Sequence, residues 1–414
     1  MIETLILQEP AARERYRTAP CLEEREQYLD HLMRQGYGPD FLRSVSGDLL
    51  RVVRFLGLTK LRTVGLDELE RADRAAADYR GPDRRGTPGD TSGRFARVAK
   101  KWLRFHGRLA VPPPPVHPYE KELRDFTEFL SSTNGATPGT IHGYRARASL
   151  FLSWLAAKGR SLSRATVKDV DEFLEAKHAQ GWTLSTMASH GQGLRAFFLH
   201  AEGRGWCAPG VARGIRNPTR PKYDGVSRGP AWADVRRLLR YTAKIRTITG
   251  LRAHAMLLLC TVYALRSSEV SGLRLIDIDW REETFCVRRA KRGGYQRYPL
   301  QYEVGEAILR YLMVRPRCDC RNVFVTYQRP YRPVSGCGMW TMVKHRFELR
   351  GIQSERRGPH SLRHACATQL LKKGTQLKDI ADFLGHRGTE SVVLYAKLDT
   401  RSLRKVAAFS LKGL

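Results

Sequence analysis

Four consecutive prolines, Pro112 to Pro115, divide the chain into parts that must fold separately. Proline fixes φ and lacks a backbone N–H, so this run fits neither a helix interior nor a central strand and is predicted to be a stiff, extended linker. A second break contains prolines and glycines among basic residues. The sequence therefore predicts an N-terminal domain over 1–110, a middle domain over 117–212, a linker over 213–230 and a C-terminal domain over 231–414.

The first two domains are both predicted to be helical. In the middle domain, Leu150, Phe151, Trp154 and Leu155 have helical spacing, and other short apolar stretches follow the same pattern. The first domain repeats these stretches in the same order, with a polar insert from Gly81 to Gly93 that predicts a loop. This parallel predicts two related DNA-binding modules in tandem. The alternative is that helical bundles resemble each other by pattern alone.

The third domain mixes helices and strands. Ala255–Tyr263 is continuously apolar and predicts a buried helix. Phe285–Ala290 and Gln296–Leu300 read as strands, and the glycines between them allow the positive φ of a tight hairpin. Short amphipathic helices are predicted after the hairpin: Glu303–Met313, Met339–Leu349, Ser361–Leu371, Leu377–Leu384 and Ser391–Leu398. The predicted fold is mainly α with a small antiparallel β-sheet.

The charge of the chain points to a polyanionic partner. Lys and Arg total 72 against 41 acidic residues, a formal net charge of +31 that no fold requires. The basic residues are spread along the whole length, which favours nucleic acid. A membrane is disfavoured because the longest apolar run, Ala255–Ala264, is too short to span a bilayer. No export signal is visible, so we expect a cytoplasmic, nucleoid-associated protein of bacterial type.

The eight cysteines are scattered, which is typical of reduced thiols in the cytosol. Cys318, Cys320, Cys337 and His345 could be read as metal ligands. The single residue between the first two is too short for the usual zinc spacing of two to four. We therefore expect neither a metal nor a cofactor.

A set of six residues in the third domain carries the most specific signal. His360 and Arg363 stand three apart at a helix start, Arg266 and Glu269 do the same upstream, and the predicted hairpin carries a lysine. The six residues, in chain order, are Arg266, Lys291, His360, Arg363, His386 and Tyr395. Each alone has an ordinary structural interpretation; their joint occurrence in this order is what points to function.

These residue types suit metal-free attack on a DNA phosphodiester. Two guanidinium groups can neutralise a pentavalent phosphorane, because each donates paired hydrogen bonds and keeps its charge. A lysine can protonate the leaving 5′-hydroxyl, and histidines can position phosphate and assist proton transfer. A tyrosine can form a phosphotyrosine ester that keeps the bond energy for religation.

The set resembles that of the tyrosine recombinases of the phage-integrase family, over about residues 120–414. The resemblance implies a helical core-binding domain and an α+β catalytic domain that form a C-shaped clamp on double-stranded DNA. It implies that Arg266 and Arg363 bind the scissile phosphate, that Lys291 protonates the leaving hydroxyl, and that Tyr395 attacks. His360 and His386 would hold phosphate and relay protons, and Glu269 would orient Arg266.

The sequence departs from the family at two points and fits it less well at its start. Ala264 and Leu265 replace the usual glycine before the first arginine, and Lys397 replaces the usual histidine after the tyrosine. The first 110 residues match less clearly; the tandem pattern predicts that they are a SAM-like duplicate of the core-binding domain, with chance similarity of helical bundles as the alternative. Family analogy further implies a homo-oligomer on DNA, a tetramer in the synapse, with related recombinases as further partners.

DNA contact is predicted for two groups of residues. By family analogy the middle domain meets DNA around His142, Tyr144, Arg145 and Arg147. In the first domain, Arg97, Lys100, Lys101 and Arg104 share about one helix face and could follow phosphates, or could form a solvated charged face.

The leading functional prediction is site-specific strand exchange for integration, excision or transposition of a mobile element. A type IB topoisomerase that nicks and reseals DNA is an alternative with the same chemistry. A catalytically inactive DNA-binding accessory protein is an alternative of a different class.

Overall fold

The computed structural model describes residues 9–79, 93–112, 116–132, 135–218, 229–289 and 294–385. The chain forms two compact units, one from Met1–Ala110 with Gly225–Leu414 and the other from Val111–Asp224. In the first unit, the hydroxyl of Tyr37 donates a 2.6 Å hydrogen bond to the carbonyl oxygen of Arg329. The N-terminal residues thus pack with the C-terminal region rather than standing apart from it.

The N-terminal residues form a small helical bundle. Its helices are α1 (Pro10–Thr18), α2 (Leu22–Arg34), α3 (Pro39–Phe55), α4 (Leu66–Asp78) and α5 (Arg94–Phe105). Two short parallel strands, β1 (Val64–Gly65) and β2 (Leu109–Ala110), pair beside α4 and α5. Leu49 and Trp102 are fully buried in the core that these helices share.

The second unit is a bundle of five helices among its described residues. They are α6 (Glu120–Ser132), α7 (Pro138–Ala157), α8 (Val167–Ala179), α9 (Leu184–Gly203) and α10 (Val211–Gly214), with a 3-10 turn at Leu162–Arg164. Threonines start three of them, since Thr137 and Thr183 accept from backbone N–H groups and Thr166 forms a capping box with Asp169. Rings from four helices fill its core: Phe126, Phe151, Phe173 and Phe197.

The two helical bundles share one packing scheme. In the first, α3 packs against α2, α4 and α5, and α4 also packs against α5. In the second, α7 packs against α6, α8 and α9, and α8 also packs against α9. The contacts among α2–α5 therefore follow the same order as those among α6–α9. That the two bundles are related modules stays a prediction.

The C-terminal region surrounds one buried helix. Its helices are α11 (Trp232–Ala243), α12 (Ile248–Val262), α13 (Ser267–Gly272), α14 (Tyr302–Val314), α15 (Gly336–Leu349), α16 (Pro359–Lys372) and α17 (Leu377–Leu384), with a 3-10 turn at Leu275–Asp277. Helix α12 is buried at every position from Ala255 to Thr261 and packs against α11, α14 and α16. Burying apolar surface on every side of α12 is the main stabilising contribution to this region.

A three-stranded antiparallel sheet lies beside these helices. Its strands are β3 (Ile278–Asp279), β4 (Thr284–Arg288) and β5 (Tyr295–Pro299), in the order β3-β4-β5. Phe285 pairs with Tyr298, so both rings face the core. The amide of Arg289 donates to the carbonyl of Gly294 at 3.1 Å and closes the described part of the β4–β5 hairpin.

The structure confirms the predicted fold class, mainly α with a small antiparallel sheet. Strand β3 was not predicted, because two residues are too few to show alternation. The predicted helix Ser391–Leu398 and nearly all of the predicted loop Gly81–Gly93 lie outside the described residues. Over the part of the chain that the structure describes, no helix combines the length and apolarity needed to cross a bilayer.

Candidate active site

Arg266 stands at the N-terminus of α13 and is held there by Glu269. One carboxylate oxygen of Glu269 accepts from the Arg266 backbone nitrogen at 2.8 Å, and the other accepts from its guanidinium at 2.8 Å. This is a capping box, in which the helix start itself fixes the side chain of Glu269. The Glu269 side chain is fully buried and that of Arg266 is 16% exposed, so only the arginine can reach a ligand.

Arg363 is buried on α16 and binds two distant segments. Its guanidinium donates to the carbonyl of Ala264 at 2.5 Å and to the carbonyl of Leu384 at 2.6 Å. Ala264 has a φ of 51°, a left-handed conformation that costs a non-glycine residue about 1–2 kcal/mol. The family that the sequence resembles usually has glycine before this arginine. A positive φ at Ala264 accounts for that preference, because glycine adopts it without strain.

Arg266 and His360 line one open cleft of about 570 Å³. Arg356, Arg357 and Trp340 belong to the same lining. Gly358 lets the start of α16 approach the indole of Trp340, because a Cβ at that position would collide with the ring. The cleft is therefore rich in cationic groups and has one aromatic wall, an arrangement that suits a phosphate with an attached nucleoside.

His364 lies one turn after His360 on α16. The two imidazoles meet edge to face, with centroids 5.1 Å apart. Burial, followed by the positive charges of His360, Arg356 and Arg363, lowers the pKa of His364 to about 4. His364 is therefore neutral at physiological pH and packs behind the exposed His360.

Arg289, a basic residue directly after β4 that the sequence did not single out, is buried. Its guanidinium pairs with Glu269 at 2.9 Å, and it donates to Gln296 at 2.7 Å and to the carbonyl of Phe383 at 3.0 Å. It also contacts the hydroxyl of Tyr298. Sequence alternation could have found it, because Phe285, Val287 and Arg289 occupy every second position and all three are buried.

The end of α17 is shaped to fit this arginine. Gly385 terminates the helix with a φ of 64°, a conformation that favours glycine. A Cβ on Gly385 would lie 2.7 Å from Nε of Arg289, so glycine is needed for space as well as for conformation. The helix end that leads to His386 is thus held by the carbonyls of Phe383 and Leu384.

Glu269 lies between Arg266 and Arg289 and balances their charge. Burial raises the pKa of Glu269, but the hydrogen bond from the Arg266 backbone and the charges of Arg289 and Arg266 outweigh this effect. The net result is a lowered pKa, so Glu269 is a carboxylate at neutral pH.

The structure brings together Arg266, Glu269, Arg363 and His360 from the predicted site. The two arginines are joined through the Ala264–Arg266 turn, and His360 shares the cleft with Arg266. Lys291, His386 and Tyr395 lie outside the described residues. Among the described residues near them in sequence, Arg289 lies close to Gly385. The backbone N–H of Arg289 also donates to the carbonyl of Gly294.

The predicted DNA-contacting residues of the middle domain lie on α7. His142 is exposed, and the Arg145 guanidinium lies 2.9 Å from both oxygens of Glu120, which offsets much of its charge. Arg147 packs over the ring of Tyr144 at 5.6 Å. Contact of these residues with DNA stays a prediction.

In the N-terminal bundle, the predicted basic face lies on α5. Arg97, Lys101 and Arg104 are exposed and Lys100 is half-buried. The opposite face of α5, which includes Trp102, is buried. A basic surface opposite a packed one fits both the phosphate-contacting interpretation and the solvated-face alternative.

No group of three or more potential metal ligands occurs among the residues that the structure describes. Arg266, Arg356 and Arg357 present guanidinium groups to the cleft and His360 presents an imidazole, so hydrogen-bond donors of two kinds line it.

Comparison with known proteins identifies matches over most of the chain. A model described as "Phage integrase family" matches residues 232–401, and one described as "Phage integrase, N-terminal SAM-like domain" matches residues 123–205. The integrase/recombinase y4rA of Sinorhizobium fredii is 30% identical over 388 residues, covering 92% of each chain. The integrase/recombinase y4gC of the same organism is 44% identical over 164 residues, covering 39% of this chain and 84% of its own.

A solved structure shares the fold. The XerH site-specific recombinase, in a post-cleavage complex with a palindromic difH substrate, matches with a TM-score of 0.57 and 17% identity. The match covers 69% of this chain and 84% of XerH.

Proposed function

Because this chain belongs to the phage-integrase family of tyrosine recombinases and is a site-specific DNA recombinase, we propose that it cleaves and rejoins DNA through a 3′-phosphotyrosine formed at Tyr395. One observation carries this proposal most strongly. Arg363 and Arg266, 97 positions apart, are joined at the Ala264 turn beside a cleft that His360 also lines. Two guanidinium groups that meet at one turn beside a cleft, although they are distant in the chain, support a site built for a phosphate group.

The arginines act on the scissile phosphate. Attack by the tyrosine oxygen breaks the bond between phosphorus and the 5′-oxygen and leaves the phosphoryl group on the 3′ side. Charge then develops on the non-bridging oxygens, which Arg266 and Arg363 stabilise more strongly in the transition state than in the ground state. Glu269 orients Arg266 without reaching the phosphate, since its own side chain is fully buried.

The remaining groups move protons. Lys291 protonates the leaving 5′-oxygen, and His360 and His386 hold phosphate and assist transfer of the tyrosine proton. Religation reverses these steps with a 5′-hydroxyl from a second strand as the nucleophile, so no external energy source is needed. The family resemblance supports these three assignments, and the cleft position of His360 supports its own.

The names of two relatives support a role for this chain in DNA integration and recombination. Two relatives are named integrase/recombinase, which supports integration, excision or transposition of a mobile element. Exchange between two duplexes needs four cleavages, and the family resemblance supports a tetramer in the synapse, with related recombinases as further partners. Its place is with chromosomal DNA in the cytoplasm, which fits the net charge of +31.

A suicide substrate tests the chemistry. A duplex that carries the flanking DNA of the gene and a nick next to the cleavage site should trap wild-type protein as a covalent adduct. Tyr395→Phe should trap none, because it lacks the nucleophilic oxygen. Tyr302→Phe is the matched control and should react like wild type, since Tyr302 is exposed on α14.

The alternatives have their own outcomes. Relaxation of supercoiled DNA without any defined site would indicate the topoisomerase. DNA binding with no adduct from the wild-type protein on any flanking sequence would indicate the inactive accessory protein and overturn the proposal.

A further inference from the structure

Arg289 connects three parts of the candidate site. It lies at the base of the β4–β5 hairpin, is 4% exposed, and pairs with Glu269 of α13 at 2.9 Å. It also donates to the carbonyl of Phe383 at the end of α17, next to Leu384, which binds Arg363. Each contact joins Arg289 to a neighbour of a phosphate-binding arginine.

Glu269 divides its carboxylate between two cations. Its Oε1 accepts from the guanidinium of Arg266, and its Oε2 accepts from the guanidinium of Arg289. If Arg289 were absent, the buried carboxylate would keep Arg266 as its cationic partner and lose the other. Arg266 would then be drawn toward Glu269 and more fully neutralised, and a neutralised guanidinium stabilises a phosphorane less.

A second set of bonds fixes Arg289 itself. Gln296 accepts from its Nε at 2.7 Å, and the hydroxyl of Tyr298 contacts its Nη2. The same hydroxyl donates to the carbonyl of Phe383 at 2.8 Å, and the amide of Gln296 donates to the carbonyl of Asp382 at 3.3 Å. The hairpin and the end of α17 are therefore held together around one guanidinium, whose several donors a single ammonium group could not replace.

We infer that Arg289 is a positioning residue that sets the charge and place of Arg266 through Glu269 and aligns the end of α17 with Arg363. Its three guanidinium nitrogens are all bonded to Glu269, Gln296, Tyr298 or the carbonyl of Phe383, so we assign it no contact with DNA. This inference rests on the proposed function, since it assumes that Arg266 and Arg363 bind the scissile phosphate. Arg289 should therefore affect strand cleavage much more than DNA affinity.

The experiment compares two substrates in single-turnover cleavage. One carries the ordinary scissile phosphodiester, and the other carries a neutral methylphosphonate in its place. The methylphosphonate develops less negative charge in the transition state, so it needs less stabilisation by the arginines. Arg289→Met should slow cleavage of the phosphodiester by about 100-fold, the scale of losing one oxyanion donor. Its deficit relative to wild type should shrink at least tenfold on the methylphosphonate, as should that of Arg266→Met.

Two further variants complete the design. Arg288→Met is the matched control, because Arg288 is the exposed neighbour on the same strand and its replacement removes the same charge. It should cleave both substrates like wild type. Arg289→Lys keeps a positive charge near Glu269 and should slow phosphodiester cleavage less than Arg289→Met does. If Arg289→Met does not fold, the same comparison of the two substrates is made with Arg289→Lys.

The outcomes separate a positioning role from a structural one. An equal deficit on both substrates, in variants that melt as cooperatively as wild type, would mean a structural role and overturn the inference. Normal cleavage of the phosphodiester by Arg289→Met would overturn it as well. Failure of the proposed function would look different, since wild type itself would then form no adduct.

Discussion

Arg363 donates a 2.5 Å hydrogen bond to the carbonyl oxygen of Ala264, a residue 99 positions earlier in the chain. Ala264 precedes Arg266 by two residues and adopts a left-handed φ of 51°. The same guanidinium binds the carbonyl of Leu384 at the end of α17. One buried cation thereby fixes the backbone before Arg266 and the backbone before His386.

Arg363 should matter for both stability and chemistry. Arg363→Lys leaves at least one of the two buried carbonyls without its donor, so the free energy of unfolding should fall by about 1–3 kcal/mol. Cleavage should fall by about 100-fold or more, because the paired donors to phosphate are absent. Denaturant unfolding and the suicide substrate measure the two effects. Arg288→Lys, on an exposed side chain, should change neither.

The conformation of Ala264 predicts which substitutions it tolerates. Ala264→Gly should keep stability within about 1 kcal/mol, because relief of the left-handed strain offsets the entropy that glycine adds to the unfolded chain. Ala264→Val should lower stability by about 2 kcal/mol or more, because a β-branched residue is strained at this φ and the site is fully buried. Thermal unfolding compares the two, and a valine variant as stable as wild type would contradict the assigned conformation.

The lowered pKa of Glu269 predicts that the protein loses stability in acid. Its pKa is lowered in the folded protein, so its contribution is present above the unfolded value of about 4.3 and is lost as pH falls through the folded value. Glu269→Gln should therefore be much less stable than wild type at pH 7, and the difference should shrink below about pH 4. Unfolding curves over about pH 3–8 measure it, and a constant difference would argue against an ionised Glu269.

His364 predicts a second pH effect in a different window. Because its folded pKa is about 4 and the unfolded value is about 6.5, its contribution is present above about pH 6.5 and is lost as pH falls toward 4. The free energy of unfolding of His364→Gln should therefore change less between about pH 6.5 and pH 4 than that of wild type. A profile for His364→Gln as steep as that of wild type would contradict a buried, neutral His364.

The basic face of α5 predicts the salt dependence of DNA binding. A variant with Arg97→Gln, Lys101→Gln and Arg104→Gln should lower the slope of log affinity against log salt by about 0.9 for each phosphate that the variant no longer neutralises. Arg62→Gln is the control, since Arg62 already pairs with Glu68. An unchanged slope would favour the solvated-face alternative. Substitutions are used rather than a deletion of residues 1–110, because these residues form one compact unit with the C-terminal region and their loss would disturb it.

Most of the architecture was predictable because it depends on local pattern. The continuous apolar run in α12 and the alternation in β4 indicate their own element types, and Thr137 before Pro138 is a local signal for the start of α7. The short strand β3 was not predicted, because it is defined by its pairing with β4 and not by a pattern in its own two residues.

The sequence by itself determined the family, because the arginines, histidines, lysine and tyrosine are residue types that phosphodiester chemistry needs and stand in the order seen in the tyrosine recombinases that the chain resembles. Only the tertiary structure decided that Arg289 is buried, that Arg363 binds backbone at Ala264 and Leu384, and that Glu269 serves two arginines. The physical reason is that residue type fixes what a group can do, whereas burial and hydrogen-bond partners depend on segments distant in the chain. Local spacing carries no information about such partners.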